Sequence, residues 1–506
     1  MKSFPRTLAV VALLFAAHGT AHAQKSWNVS SGSWGTSGNW NPSGAPATTD
    51  NAFITNAGTA TLNTTSGFFS TLSIGSTSQI QQTSGNGILR ASSAAGGDHI
   101  TNAGLISVST GTLAINHQTS GTTMRINNSG GVIRASSGGL LNLISTATTS
   151  ITGGQVEIQS AGGMFVYKTL TLTDVAFNNS GTSSLLTTAN QIFTSFDVNG
   201  TSSFTNSGTL SIVNSGNLTS GARYTRFQVA STGTFTNAST GVINITRDQA
   251  TTLNVSNHEA YFTLNATGFD NEGAINITSF ANQVGVAYFS SSQDFSNAGA
   301  ITINGPRSSI RMASNTFTQS GGSLSLVGGG TMSALAVNIN GGTLLGTGTI
   351  NAPVTVGGIV APGNAGIGTL TVSNNVTWNA GNAWLFQLGT PAVSLAAATS
   401  ASDADLLSLT GAFTQGTGST FTFDFATGGS DGWYKLVDYT STNFTPGTNT
   451  SFAATNVPAG KSANFVVDAG STALYVQIVP EPSTLALAGL GIGLAGFLAC
   501  RRSRRG

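Results

Sequence analysis

One short unit recurs along most of this chain and limits what it can fold into. An aromatic or aliphatic residue is followed two positions later by Asn and two further on by Gly, after which apolar and polar residues alternate. The unit reads Ile100-Thr-Asn102-Ala-Gly104, Ile126-Asn-Asn128-Ser-Gly130, Phe177-Asn-Asn179-Ser-Gly181 and Phe204-Thr-Asn206-Ser-Gly208. It continues as Phe235-Thr-Asn237, Phe269-Asp-Asn271-Glu-Gly273, Phe295-Ser-Asn297-Ala-Gly299 and Phe317-Thr-Gln319-Ser-Gly321. Successive Asn positions lie about 22 to 34 residues apart, with one gap of 51 wide enough for two units. A period in this range indicates a solenoid or an array of repeats.

The chemistry of the unit selects among these. Alternation after each corner gives a strand with one apolar face. Asn and Gly tolerate the left-handed backbone of a sharp corner. Stacked coils would place the Asn amides in register, bonding along a ladder, with the Phe rings stacked inside. No helical period or cap pattern separates the units. The expected fold is therefore all-β, a right-handed parallel β-helix over residues 24–373. At roughly 24 residues per coil and about 4.8 Å per coil, it would form some 14 coils and a rod near 65 Å. A β-propeller is the alternative, but its blades need about 40 residues each.

Composition supports the all-β reading. Charged residues are only 7%, Gly is 65 of 506, and 39% of residues are apolar, with 27 Phe. That much apolar content with so little charge does not suit a disordered chain. From about Asn374 the pattern changes: Trp378, Trp384, Phe386, Phe421, Phe423, Phe425, Trp433 and Tyr434 crowd residues 374–478. We expect a β-rich, antiparallel cap there, because an open solenoid end is a row of unpaired strand edges.

Both chain ends read as addressing segments. Lys2 and Arg6 precede an apolar run, and Ala21-His22-Ala23 offers small residues where signal peptidase cuts, so residues 1–23 are expected to be a secretory signal. At the other end stand Val479-Pro480-Glu481-Pro482-Ser483-Thr484, an apolar stretch from Leu485 to Cys500, and Arg501, Arg502, Arg504 and Arg505. The stretch is close to bilayer length, and the arginines would stay cytoplasmic. Within it, Gly491-Ile-Gly493-Leu-Ala-Gly496 matches the dinucleotide fingerprint as text only, since no strand precedes it in a βαβ unit.

Residues 479–506 resemble the PEP-CTERM sorting signal of Gram-negative bacteria, in motif, helix and basic tail. The resemblance implies processing by exosortase, a membrane cysteine protease. It also implies a transient inner-membrane anchor, then release to the outer surface or an extracellular matrix. Two further segments resemble passenger regions of autotransporter-type proteins. The first is Ser33-Trp-Gly-Thr-Ser-Gly-Asn-Trp-Asn-Pro42 and the second runs from Gly341 to Val372. They imply a surface or secreted β-helix.

Without Lys2, Arg6, the four tail arginines and Glu481, the 18 basic and 17 acidic residues fall to 12 and 16. The body is thus weakly acidic, and nucleic acid is not an expected partner. The single Cys leaves no disulfide to hold an exported chain.

Candidates for chemistry are few. Asp403 and Asp405, two apart on an extended chain, would share a face and form a weak Ca²⁺ candidate or acid/base pair. His99, His117 and His258 lack metal-ligand spacing and read as solvated or corner residues. The basic pairs Arg223/Arg226 and Arg307/Arg311 have no acid partner in repeat register. Trp27, Trp34 and Trp40 either plug the first coil or stack on sugar rings. No catalytic residue, cofactor or firm metal site is expected. The reading is a non-enzymatic structural or adhesive surface or biofilm-matrix protein whose partners are signal peptidase, exosortase and extracellular polysaccharide. The alternatives are a secreted β-helix polysaccharide lyase or glycoside hydrolase, or a dedicated carbohydrate-binding adhesin.

Overall fold

The computed structural model describes residues 22–481 apart from 94–95, 144–146, 167, 188–192, 216–222, 248–257, 266–267, 281–284, 364–365, 399–402, 426–427 and 471. The apolar parts of both expected addressing segments lie outside these residues. Among the described residues no helix is long and apolar enough to cross a membrane.

Each coil is three strands joined at three corners. One level runs Phe193–Gly200 on a first face, Ser203–Asn206 on a second and Thr209–Asn214 on a third. The next level, Arg223–Ser231, Phe235–Asn237 and Val242–Arg247, pairs with it strand for strand in parallel. The third face is a ladder of 13 parallel strands from Ser66–Phe69 to Ile359–Pro362. At about 4.8 Å per strand it is a rod of roughly 60 Å. Such a continuous parallel ladder is a solenoid and leaves no room for separate propeller blades.

The repeat is not of fixed length. Neighbouring coils are 33 residues apart at Thr209 and Val242 but 16 apart at Thr343 and Ile359. The extra residues fall mainly between the third and first faces, for example between Asn214 and Arg223. Loop length there is free to vary because only the strands set the register.

Strand alternation points every second side chain inward, and the inner positions stack in columns. Phe177, Phe204, Phe235, Phe269, Phe295 and Phe317 form one column, with ring centroids 4.6 to 5.4 Å apart. Phe196, Phe227, Phe262 and Phe289 form a second beside it. All are buried. Burying each ring contributes about 1.5–3 kcal/mol, and ring pairs at this spacing add to that.

The Asn residues form the expected ladder at the corner between the second and third faces. Asn179 Nδ2 donates to Asn206 Oδ1 (2.6 Å), Asn206 to Asn237 (2.7 Å) and Asn237 to Asn271 (2.6 Å). Asn271 then donates to Asn297, and Asn297 donates to Gln319 Oε1 at 2.7 Å. Every member is fully or almost fully buried. A buried amide needs partners, and each coil supplies the partner of the next.

Two details differ from expectation. Asn102 and Asn128 are not the start of this ladder. Asn102 ends one strand of the first face and Asn128 directly follows another, Met124–Asn127, and Asn102 donates to Asn128 (2.7 Å) at a different corner. Any corner needs the same Asn-x-Gly chemistry, so the series slips by one face across the 51-residue gap. The glycines also serve a different purpose. Gly104, Gly181, Gly208, Gly273 and Gly299 do not have positive φ. A Cβ on any of them would collide with a backbone carbonyl of the coil below. Close stacking of corners, not a left-handed turn, is what requires glycine there, whereas Gly130, at φ +79°, makes the left-handed corner as expected.

Parallel pairing continues past residue 374. Leu406–Leu409 pairs with Thr369–Val372, and Ala412–Gln415 with Val376–Trp378. The third face restarts as a small parallel sheet of Trp384–Leu385, Phe421–Asp424 and Phe452–Thr455. Antiparallel strands then close the end: Ala473–Pro480 lies between Gly432–Asp438 and Lys461–Val467.

Candidate functional site

At the N-terminal end, Gln24–Trp27 opens the first coil and pairs in parallel with Asn51–Ile54. Trp27 lies across from Trp40 in an antiparallel pair. Trp40 makes edge contacts with Trp27 (5.0 Å) and Trp34 (4.9 Å), and its Nε1 donates to the Trp34 carbonyl at 2.8 Å. The three rings are 1–3% exposed. Sugar-ring stacking is therefore not open to them, because their faces are spent on one another as a plug.

Asp403 and Asp405 do not form a pair of ligands. Asp405 is buried and points inward. Its Oδ1 accepts the Gly368 N–H (2.9 Å) and its Oδ2 the Gln387 N–H (2.8 Å). Burial pushes its carboxyl up to about 6, outweighing these two donors. Asp403 is only half-buried, and its carbonyl accepts from Gly389. Asp405 is a staple between the approach to strand Thr369–Val372 and the chain at Gln387. Among the described residues no group of three or more His, Cys, Asp or Glu is arranged to hold a metal.

The histidines are buried rather than solvated. His99 and His117 meet edge-to-face at 4.8 Å, and the Nε2 of each faces the Ser93 carbonyl, at 3.1 and 2.8 Å. Each Nδ1 accepts a backbone N–H at 3.0 Å, from Arg125 and Thr119 respectively. This arrangement fixes both rings as neutral Nε2–H tautomers. Burial, helped by the nearby His117 and Arg125, lowers the His99 pKa, against the Ser93 carbonyl and Asp98, which raise it. The sequence carries no local sign of this pair, which joins positions 18 apart. His258 is also buried and packs against Arg247 (3.2 Å), with Glu259 on the outer side of the strand.

The outer surface of the first face holds a feature the repeat reading missed. Phe193, Tyr224, Tyr261 and Tyr288 point outward from four consecutive coils, half-buried. Phe193 stacks on Tyr224 (5.3 Å, 14°) and Tyr261 on Tyr288 (4.9 Å, 1°). Arg226 Nη2 donates to both carboxylate oxygens of Asp197 at 2.9 and 3.1 Å; Asp197 stands one coil earlier opposite Gln228, so the acid partner is diagonal, out of repeat register. The exposed Arg311 guanidinium lies 4.1 Å over the Tyr288 ring, its Nε donating to Ser309 at 3.0 Å. Lys168 Nζ sits 5.7 Å over Phe193. Burial, reinforced by Glu259, raises the Tyr288 phenol above its ordinary value; burial also raises Tyr261. Both remain neutral donors. The signal was present in Tyr261-Phe262 and Tyr288-Phe289: in a strand, one ring of each pair must face out.

At the C-terminal end the final strand, Ala473–Pro480, carries Val479 and Pro480 in register with Ser462 and Lys461. The Glu481 N–H donates to the Gly460 carbonyl at 2.9 Å. The expected sorting residues thus begin inside the closing sheet, while Pro482, Ser483, Thr484 and the four arginines lie outside the described residues. Residues 479–505 match the PEP-CTERM protein-sorting motif. A PEP-CTERM motif implies an exported protein, with a membrane-anchored sorting signal at its C-terminus and exosortase as its processing partner. No curated protein matches the chain. The PEP-CTERM segment follows the folded body with no intervening linker: the last strand and the motif share Val479 and Pro480.

Proposed function

We propose that this is a non-enzymatic structural or adhesive protein of the outer cell surface or extracellular polysaccharide matrix. A cleaved N-terminal signal would send it across the inner membrane, and exosortase would release it from a transient anchor there. The observation that carries the reading is the direct joining of a long, hydrogen-bonded rod to the PEP-CTERM motif. The first strand starts at Gln24, the residue after the expected signal-peptidase site, which supports the matching assignment at the other end.

The rod's polar chemistry favours a scaffold. The conserved-in-space columns of buried amides are satisfied by one another. The outward positions of the third face run Ser184, Ser211, Asn244, Asn276, Thr302 and Ser325 from coil to coil, neutral throughout. A cleft of about 540 Å³ near the N-terminal end is lined by His22, Thr48, Thr49, Ser92, Ser93 and Gln118 among others, with no carboxylate, and His22 would leave with the signal. A lyase or hydrolase needs a convergent acid or base, and Asp405 already holds two backbone donors.

Fractionation of the producing cells tests the proposal. The protein should be recovered with surface or matrix polysaccharide, and its deletion should weaken matrix cohesion without changing polymer length. New reducing or unsaturated ends on exopolysaccharide incubated with the pure protein would replace this reading with the enzyme alternative.

A further inference from the structure

The strip on the first face has the properties of a binding site. It is a run of outward aromatic side chains on consecutive coils, whereas Phe53 on the first face and Phe68 and Phe165 on the third have no aromatic register neighbour. Tyr261 and Tyr288 lie in one column with Arg226, while Phe193 and Tyr224 lie in the next with Glu259. The stacked rings cover each other's faces and present their edges, with the Tyr288 phenol donating to Glu259 Oε2 at 3.4 Å. Thr263 and Ser290 add hydroxyls on the same face, Ser290 donating to Thr263 at 3.2 Å, while Ser195 and Ser309 are buried and hold Arg226 and Arg311 in place.

Charge is placed at the two ends of the strip. Arg226 is neutralised by Asp197. Arg311 is exposed, and its terminal nitrogens have no partner among the described residues; stacking on Tyr288 and the bond to Ser309 hold its fork in place. Lys168, at the Phe193 end, has no ion pair among the described residues. From the level of Lys168 to that of Arg311 is five coil steps, about 24 Å at the usual strand spacing.

We infer that this strip binds an acidic polysaccharide lying along the rod axis, with carboxylates at Arg311 and Lys168 and sugar hydroxyls on the tyrosine edges between them. A guanidinium fork suits a carboxylate. The hydroxyl-rich, weakly relieved row suits a polymer of hydroxylated rings. The inference rests on the surface or matrix reading, and gives it a ligand class and a site.

The test uses the mature protein purified from the producing cells, with polygalacturonate and neutral dextran as probes in affinity electrophoresis. Native protein should bind polygalacturonate more tightly than dextran, and added salt should weaken that binding. Arg311→Ala should weaken it about tenfold, and Arg311→Lys should not restore it, because lysine lacks the fork. Tyr261→Ser with Tyr288→Ser should weaken binding to both polymers, with urea midpoint checked to exclude misfolding. Native protein that binds neither probe, or Arg311→Ala protein that binds polygalacturonate as native does, overturns the proposal. Strip variants that are still exported and matrix-associated would leave the broader reading standing, whereas native protein retained inside the cell would remove that reading.

Discussion

The coils between Phe177 and Gln319 and the end of the chain from Val376 onward both bury many aromatic rings, by different rules. In the coils each ring meets the same ring one level away, as Phe204 meets Phe177 and Phe235. At the end, no such column exists. Trp378 stacks on Trp384 at 3.7 Å and also touches Phe421 (5.2 Å) and Phe423 (5.1 Å), which share the strand Phe421–Asp424 of a later turn. Repetition spreads each contribution along the axis, between nearest neighbours. The closing end concentrates it in a few unrepeated residues, because it must cover strand edges that have no further coil to pair with.

The largest expected effects come from deleting a ring in each region. Phe235→Ala and Trp378→Ala should each cost about 3–5 kcal/mol, and they should differ in reach. Hydrogen exchange should show Phe235→Ala loosening only the coils of Phe204 and Phe269. Trp378→Ala should loosen residues 376–480 together. Equal reach for both would break the comparison.

Next in size is the amide ladder. Asn237→Ala leaves the Asn206 amide without its acceptor and the Asn271 oxygen without its donor, at about 1–3 kcal/mol for each orphaned group. Asn102→Ala orphans the Asn128 oxygen and the Gly104 N–H, and should cost about as much in urea unfolding. At the closing end, Asp405→Ala removes the acceptor of two backbone donors, Gly368 and Gln387. It should cost about 1–3 kcal/mol per donor, less any relief from removing a buried charge.

The smallest effect is one of sign. His99 has a lowered folded pKa, so its contribution is present above the ordinary histidine value of about 6.5 and is lost as pH falls through the lower folded value. Asp405 is raised to about 6, so its contribution is present below the ordinary value of about 3.9 and is lost as pH rises through 6. Moving from pH 7 to pH 5 should increase exchange around His99 and His117 and decrease it around Gly368, Gln387 and Asp405. A change of the same sign at both ends would contradict the assigned hydrogen bonds.

The same contrast explains what the sequence made legible. The Asn179–Gln319 ladder and the Phe column beside it could be read because the signal is repeated at each level. The slip from the Asn102 corner to the Asn179 corner could not, since both corners use one local code. Gly130 takes the expected left-handed corner, but at Gly104, Gly181, Gly208, Gly273 and Gly299 the cause was not legible: the clash they avoid is with a carbonyl a whole coil away. Asp405 binds Gly368, 37 residues earlier, and His99 meets His117 through tertiary folding alone. The outer tyrosine strip was hidden because aromatic content was counted toward the core.

The most direct test of the account is the mass of the C-terminal peptide of the mature protein, from cells with and without active exosortase. The account predicts that the protease-positive cells yield a chain lacking Arg501–Gly506 and ending in or beside the 479–484 motif, and that the protease-negative cells keep Gly506. A chain ending at Gly506 in both would mean a permanently anchored rod and would contradict the sorting assignment.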